Sequence, residues 1–352
     1  MPRINQQQLA VLLNLSRTTV SRSLSNHPMI HARTRAKVQA LAEKLGYRNS
    51  PTRSVKHRRL SKPITVGVLV GMPSMNLGMA TFPLVLQGIR AQGMIDRVAI
   101  DVISQDPAEL NIHNLRQPVF RHIRASDWRG VILIYPFAPA VVELIQQKIS
   151  TVSVLTEYEH LPIDTIDADH ADLIDLISLL TRVGHKRIGF MTWHYTVGGR
   201  WATRRFAAFA EGMFQHGLEF NLEWTVNVHA GQPTYLDHQS VADCVAQQTR
   251  AAGITAWVCA ADHQAYQLIA DLRERGIRVP QDCSVTGFDG IEPPLGMAKL
   301  TTLAVAHAEI GASALSRLVN RILHPNSSGR KIFVETSLVE GETVTAPSSR
   351  KA

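Results

Sequence analysis

The sequence predicts a small all-α head joined to a large α/β body. Three observations carry this. Charge divides the chain: residues 1–62 hold 13 Lys/Arg and one acid, Glu43, a balance of +12, whereas the remaining 290 residues hold 24 Lys/Arg and 28 acids, a balance of −4. Apolar residues recur at helical spacing through the first 45 residues. From Pro63 onward, short β-branched runs alternate with helical stretches. A chain of 352 residues, 45% hydrophobic and 19% charged, has room for two or three domains and a sizeable core.

The head (1–48) reads as three helices. Asn5 is placed to cap the first, which carries Leu9, Leu12 and Leu13 on one side. Asn14-Leu15 makes a tight turn, because Asn tolerates a left-handed backbone. Ser16 caps the second helix, with Val20 and Leu24 inward, and Asn26-His27-Pro28 breaks it. The third runs from about Ala32 to Leu45, with Val38, Leu41, Ala42 and Leu45 at helical spacing, and Gly46 ends it. Two short helices joined by a tight turn, with a third packed behind, form a helix-turn-helix.

In that motif the second helix enters the DNA major groove and its first residues meet base edges. Arg17 and Thr18 fall there. Arg can pair bidentately with guanine, and Thr can hydrogen-bond a base or touch a thymine methyl. Arg22 reads a base or holds a phosphate one turn later. Ser16, Thr19, Ser21 and Thr34 suit phosphate oxygens, and Asn5 joins them at the first helix start. The plain alternatives are a solvated Arg17 and a basic disordered head; the periodicity and capping of the head oppose the second.

Residues 49–62, "NSPTRSVKHRRLSK", are basic and poor in apolar residues, so they read as a linker. The strands expected in the body are 64–71, 98–104, 130–136, 151–157, 187–193, 256–262 and 283–289. Helices are expected at 84–93, 171–183, 204–217 and 263–275. Apolar β-branched runs of this length fit parallel strands buried on both faces. Two sets of them make two Rossmann-like lobes. No longer internal repeat is evident beyond the strand–helix rhythm. The expected body is 63–346, with one lobe at about 63–165 and 300–325 and the other at about 166–299 and 330–346. Residues 347–352 read as a disordered tail.

Ligands of such sheets bind beyond the carboxyl ends of the strands. The candidates there are Met75, Tyr135, Phe137, Thr156 (beside Glu157), Trp193, Arg200, Arg204, Arg205, Asp262 and Asp289. Aromatic faces, arginines and carboxylates converging on a cleft suit a small polar ligand such as a sugar. Core packing of Trp193, helix capping by Asp262 and a simple Asp289-Gly290 turn are the plain alternatives.

The stretch "NLSRTTVSRSLSNHP…TRAKVQALAEKLGYR" resembles the head of the LacI/GalR transcription regulators. The likeness lies at Ser16, Thr19, Val20, Ser21, Arg22, Thr34, Arg35, Val38, Leu45, Gly46 and Tyr47, with Asn14 where that family has Gly. "RVGHKRIGF", "GIRVPQDCSVTGFDG" and "LTTLAVAHAEIG" extend the resemblance over most of the body. It implies two lobes of periplasmic-binding-protein type. It also implies that Arg17 and Thr18 set operator preference. Arg53, Ser54, Val55 and Lys56 align with the family's hinge helix, with Val55 as the minor-groove wedge in place of Leu. Asp289 and Asp262 align with effector-binding carboxylates. The first effector arginine of the family falls on Thr203 and the second on Arg205.

Other classes are opposed. Three cysteines without CxxC spacing oppose a disulfide framework and fit a reducing compartment. The start, MPRINQQQLAVLLNLSR, lacks a leader pattern, so a cytoplasmic location and no membrane association are expected. No HExxH, G-x-S-x-G, Walker loop or strand-linked G-x-G-x-x-G occurs, so neither an enzyme nor a cofactor is expected. The acids of "DTIDADHADLID" (164–175) read as a strand end running into a helix start rather than as metal ligands. The expectation is a repressor that binds a palindromic double-stranded DNA operator as a homodimer, with a tetramer left open. A sugar-like effector between the lobes shifts the spacing of the paired heads. The alternatives are a sugar-binding module without DNA readout and an α/β enzyme with a DNA-tethering head.

Overall fold

The computed structural model describes residues 6–13, 15–24, 32–45, 64–71, 81–194, 200–228 and 235–348. They belong to two compact units, Met1–Ser61 and Lys62–Ala352. The first contains α1 (Gln6–Leu13), α2 (Arg17–Leu24) and α3 (Ala32–Lys44). Leu9, Ala10, Val20, Val38 and Ala42 are buried together, and half-buried Leu13, Leu15, Leu24, Leu41 and Leu45 close this core. Ser16 caps α2: the Thr19 N–H donates to Ser16 Oγ at 3.0 Å. The expected turn at Asn14, the helix stop at Gly46 and the linker lie outside the described residues.

The body opens with β1 (Ile64–Gly71), α4 (Phe82–Asp96), β2 (Val98–Gln105), α5 (Pro118–Ala125), β3 (Gly130–Ile134), α6 (Pro139–Gln146), β4 (Ser150–Val154) and β5 (Asp164–Ala168). It continues with α7 (Leu173–Val183), β6 (Ile188–Met191), α8 (Arg200–Gln215), β7 (Thr225–Val226), α9 (His238–Ala251), β8 (Ala256–Cys259), α10 (Asp262–Glu274), β9 (Ser284–Asp289) and β10 (Thr301–Val305). The last elements are α11 (His307–Leu323), β11 (Lys331–Val334) and β12 (Thr336–Val339). Among the described residues these strands form two six-stranded sheets, β11-β5-β4-β3-β1-β2 and β12-β10-β9-β8-β6-β7. Their pairing is parallel except for β10 with β12.

The two strand orders are the same. β2 stands to β1 as β7 stands to β6, and so on across both sheets. The repeat that the sequence hides is therefore present in the topology. Packing repeats it too. A Cβ at Gly67 of β1 would lie 2.4 Å from the Trp128 ring, and one at Gly189 of β6 would lie 2.4 Å from the Trp257 ring. Each lobe thus seats a buried tryptophan on a glycine of its first strand. The indole N–H groups are satisfied by Asp101 at 2.8 Å and Thr249 at 3.0 Å.

Three expectations need correction. The first lobe does not take 300–325 whole: β10 belongs to the second sheet, and the chain returns to the first lobe only with α11. The segment 330–346 is divided as well, because β11 pairs with β5 of the first sheet. β5, β7, β10, β11 and β12 add to the expected strands, and α5, α6, α9 and α11 to the expected helices. Residue 345 is tied down, its N–H donating to Ser284 Oγ at 3.1 Å; residues 349–352 of the expected tail lie outside the described residues.

The chain passes between lobes three times: after β5, at Ala306 between β10 and α11, and at Glu335 between β11 and β12. The passages are stitched together. The Asp169 N–H donates to the Val334 carbonyl at 2.9 Å. Asp172 Oδ2 accepts from Thr336 N–H at 2.7 Å and from its hydroxyl at 2.8 Å.

Candidate functional site

The carboxyl ends of both sheets carry the expected body candidates that the structure describes. Tyr135 follows β3, Thr156 and Glu157 follow β4, Trp193 follows β6, Asp262 follows β8, and Asp289 ends β9. Backbone strain collects there: φ is +67° at Tyr135, +58° at Leu155 and +136° at Asp289.

Arg205 of α8 is the centre of a polar cluster at the carboxyl ends of the second sheet's strands. It is 5% exposed. Its guanidinium donates to Asp289 Oδ1 at 3.2 Å, to the Ala260 carbonyl at 2.6 Å and to His170 Nδ1 at 3.3 Å. Because Nδ1 of His170 accepts, its proton sits on Nε2, which faces Asp167 at 3.3 Å. The Phe288 ring lies 3.7 Å from the guanidinium carbon and the Trp201 ring 4.7 Å. His263 and His307 lie within the electrostatic reach of Asp289 and Arg205. Burial pushes both imidazoles below their ordinary range, so both are neutral near pH 7.

Asp262 supports this centre from behind. It is fully buried, accepting from Thr302 Oγ1 at 2.6 Å and from the Ile291 N–H at 2.9 Å. Burial, and then the Asp289 charge, push its carboxyl up to about 7. It is the first residue of α10 and fixes the turn after Asp289 and strand β10, rather than capping its own helix. Tyr135 is also a support. Its hydroxyl accepts from the Thr81 and Phe82 N–H groups at 3.0 Å each, fixing the start of α4. Phe137 does not line the cleft: it is 1% exposed in the first lobe's core. Trp193 packs on the second lobe's core, edge-on to His263 at 5.1 Å. It also lines a recess of about 170 Å³ with His194, Ala202, Thr203, Asn227 and Tyr235.

At the mouth, Glu157 of the first lobe meets Arg204 and Lys331 through hydrogen-bonded ion pairs, and Arg200 Nε at 3.5 Å. Arg200 also pairs with Glu159. Burial pushes the Glu157 carboxyl up, but the bonds from Lys331 and Arg204 outweigh this and hold it below its usual range. Lys331, His170, His263 and His307 join the set without having been expected there. Lys331 has no sequence signal, because only the pairing of β11 with β5 brings it in. Four of the five acids of 164–175 are engaged within the protein. Asp164 binds Arg317 and Arg321, Asp167 faces His170, Asp169 caps a single 3-10 turn, and Asp172 holds Thr336.

In the head, Ser16 and Thr19 form the α2 cap, and Thr34 is half-buried on α3. Arg17, Thr18, Ser21 and Arg22 fall on α2. At 100° per residue, positions 18 and 22 are on the side of α2 away from buried Val20. The side chains of these four, and Asn5, Arg53, Val55 and Met75, lie outside the described residues.

Residues 7–50 match the family described as bacterial regulatory proteins, lacI family, and residues 177–344 match the periplasmic binding protein-like domain. The chain thus carries a lacI-family head and a periplasmic-binding-protein-like domain. It is a DNA-binding transcription regulator with an α/β body of periplasmic-binding-protein type. A full-length relative is the HTH-type transcriptional regulator AglR of Rhizobium meliloti (strain 1021). It is 25% identical over 335 residues, covering 91% of this chain and 88% of AglR. The LacI-family fold is shared with the lac repressor dimer bound to operator and the anti-inducer ONPF. That match has a TM-score of 0.64 at 20% identity, covering 98% of this chain and all of that one. It is shared also with the regulator CelR in complex with cellobiose, at a TM-score of 0.66 and 18% identity, covering 97% of this chain and 100% of that one. No helix among the described residues is long and apolar enough to cross a membrane.

Proposed function

We propose that this chain represses transcription from a palindromic operator as a cytoplasmic homodimer, and that a sugar-like effector closed between the body lobes switches its DNA affinity. One observation carries the effector site. Arg205 and Asp289 face each other among neutral histidines and aromatic rings at the carboxyl ends of the strands. An arginine–carboxylate pair offers donors and acceptors to hydroxyl groups, and Trp201 offers an apolar face. Arg205, Asp289 and Trp193 bind; Asp262, Tyr135 and Thr156 position. The CelR–cellobiose complex supports a sugar-like ligand for this fold.

In the head, Arg17 and Thr18 read bases, with Arg22 and the Ser16, Thr19, Ser21 and Thr34 hydroxyls on bases or phosphates. Asn5 and Arg53 add phosphate contacts, and Val55 enters the minor groove. One short helix reads few bases, so two heads on a palindrome are required for specificity. Effector closure changes operator affinity by a coupling free energy of about 1–3 kcal/mol. The test is selection of bound fragments from the source genome at physiological salt, followed by sequencing. An inverted repeat with a fixed centre is expected. Binding without an enriched motif, with or without pooled metabolites, would reduce the head to a tether.

A further inference from the structure

We propose that the effector is an anion, and that its carboxylate or phosphate group replaces Glu157 against Arg200, Arg204 and Lys331. The inference rests on the effector-switched regulator reading and narrows its ligand class. Three cations converge from two lobes. Arg200 and Arg204 come from α8, and Lys331 comes from the edge strand β11. Their shared counter-charge is one carboxylate, Glu157, whose side chain is 7% exposed; Glu159, 54% exposed, pairs with Arg200 among the described residues. Three cations against two acids leave this corner with a surplus of positive charge.

The hydrogen-bond count agrees. Glu157 gives one oxygen to Lys331 and the other to Arg204. Arg200 Nε, Arg204 Nε and the neighbouring Thr156 Oγ1 are buried with no hydrogen-bond partner among the described residues. A buried donor without an acceptor is costly and rare. A carboxylate with an adjacent hydroxyl, or a phosphate with three oxygens, supplies the acceptors that Glu157 lacks. Guanidinium groups are well shaped for both. Arg205 and Asp289 lie deeper, where the hydroxyl-bearing end of such a ligand is held. Glu157 follows Leu155, whose backbone is left-handed, so the acid is presented on a tight turn rather than within β4.

The competing reading is a latch, in which these ion pairs only hold the lobes closed. The two readings differ in sign for Glu157→Gln. Calorimetric titration of the full-length chain with inorganic phosphate, D-gluconate and D-glucose separates them. If Glu157 competes with the ligand, E157Q binds phosphate or gluconate at least fivefold tighter than the unmutated chain and leaves glucose unchanged. The preferred anion separates phosphate from carboxylate chemistry. Unchanged or weaker anion binding in an E157Q chain that still melts cooperatively overturns the proposal. Should E157Q lack a cooperative melt, Lys331→Gln decides: a loss of at least fivefold in anion binding supports it, and no loss overturns it. The same ligands are then added to the chain on its selected operator. If glucose moves operator affinity and the anions do not, only the anion inference falls. If no operator is selected at all, the regulator reading falls with it.

Discussion

At the residue scale, the site rests on Arg205, whose groups are divided among a carboxylate, a carbonyl and an imidazole while two rings cover its faces. Lysine reproduces its charge but not this fork. Arg205→Lys is therefore expected to weaken effector binding at least tenfold by calorimetry, with the chain still folded by circular dichroism. Asp262 gives a pH prediction. Its folded carboxyl titrates near 7, against 3.8 when exposed. Between those values the folded chain holds a proton that the unfolded chain has released. Stability from this group is therefore full below about pH 4 and falls as pH rises to about 7. Asp262→Asn should remove that slope, so denaturant melts at pH 5, 6, 7 and 8 should show the variant gaining on the parent as pH rises to 7. Not all of this centre was legible in the sequence. Asp289 and Arg205 sit at strand-end and helix positions that the α/β rhythm marks. His170, His263 and His307 belong to three different elements and share no spacing, so only the topology assembles them.

At the scale of elements, the sequence announced those that are apolar throughout. β1 has the expected bounds, 64–71. β5 was concealed because "DTIDA" carries two acids. Asp164 can be buried there because Arg317, Arg321 and the Arg330 N–H all donate to it, at 2.9, 2.8 and 2.6 Å. Asp164→Ala strands the buried Arg317 and should cost about 3–5 kcal/mol in denaturant unfolding. The crossing of α4 and α11 is equally specific. A Cβ on Gly88 would lie 1.8 Å from the Ala308 carbonyl oxygen, and one on Gly311 would lie 2.0 Å from that of Val85. Backbone there cannot yield as a flexible side chain can. Gly88→Val should therefore destabilise the body by at least about 1–3 kcal/mol, read as a lowered melting temperature. In the head, Ser16→Ala removes the α2 cap and should cost about 1 kcal/mol.

At the scale of the whole molecule, charge separates the work. The +12 head and the −4 body were plain from composition, and the two compact units divide at Ser61. Arg17→Ala is expected to weaken operator binding by about 1–3 kcal/mol per half-site and to relax one base pair, read by fragment selection. Uniform weakening on every sequence, with a shallower salt dependence, would make Arg17 a phosphate contact instead. The internal repeat was not legible at all. Matching strand orders are preserved by which runs are apolar, and many different residues satisfy that condition.

The stitched triple passage between the lobes constrains how the body can respond. Two rigid bodies joined by one tether can rotate about any axis, and two tethers still allow a twist. Three tethers bonded side by side, as Asp169 is to Val334, Asp172 to Thr336 and, by strand pairing, Val305 to Thr336, restrain sliding and twisting together. One rotational freedom remains, like that of a door on its hinges. A ligand that bridges Arg205 of one lobe and Lys331 of the other at the free edge would therefore act with leverage. Small displacements at the pivots become larger ones across the jaws, and binding energy is delivered as torque about a single axis.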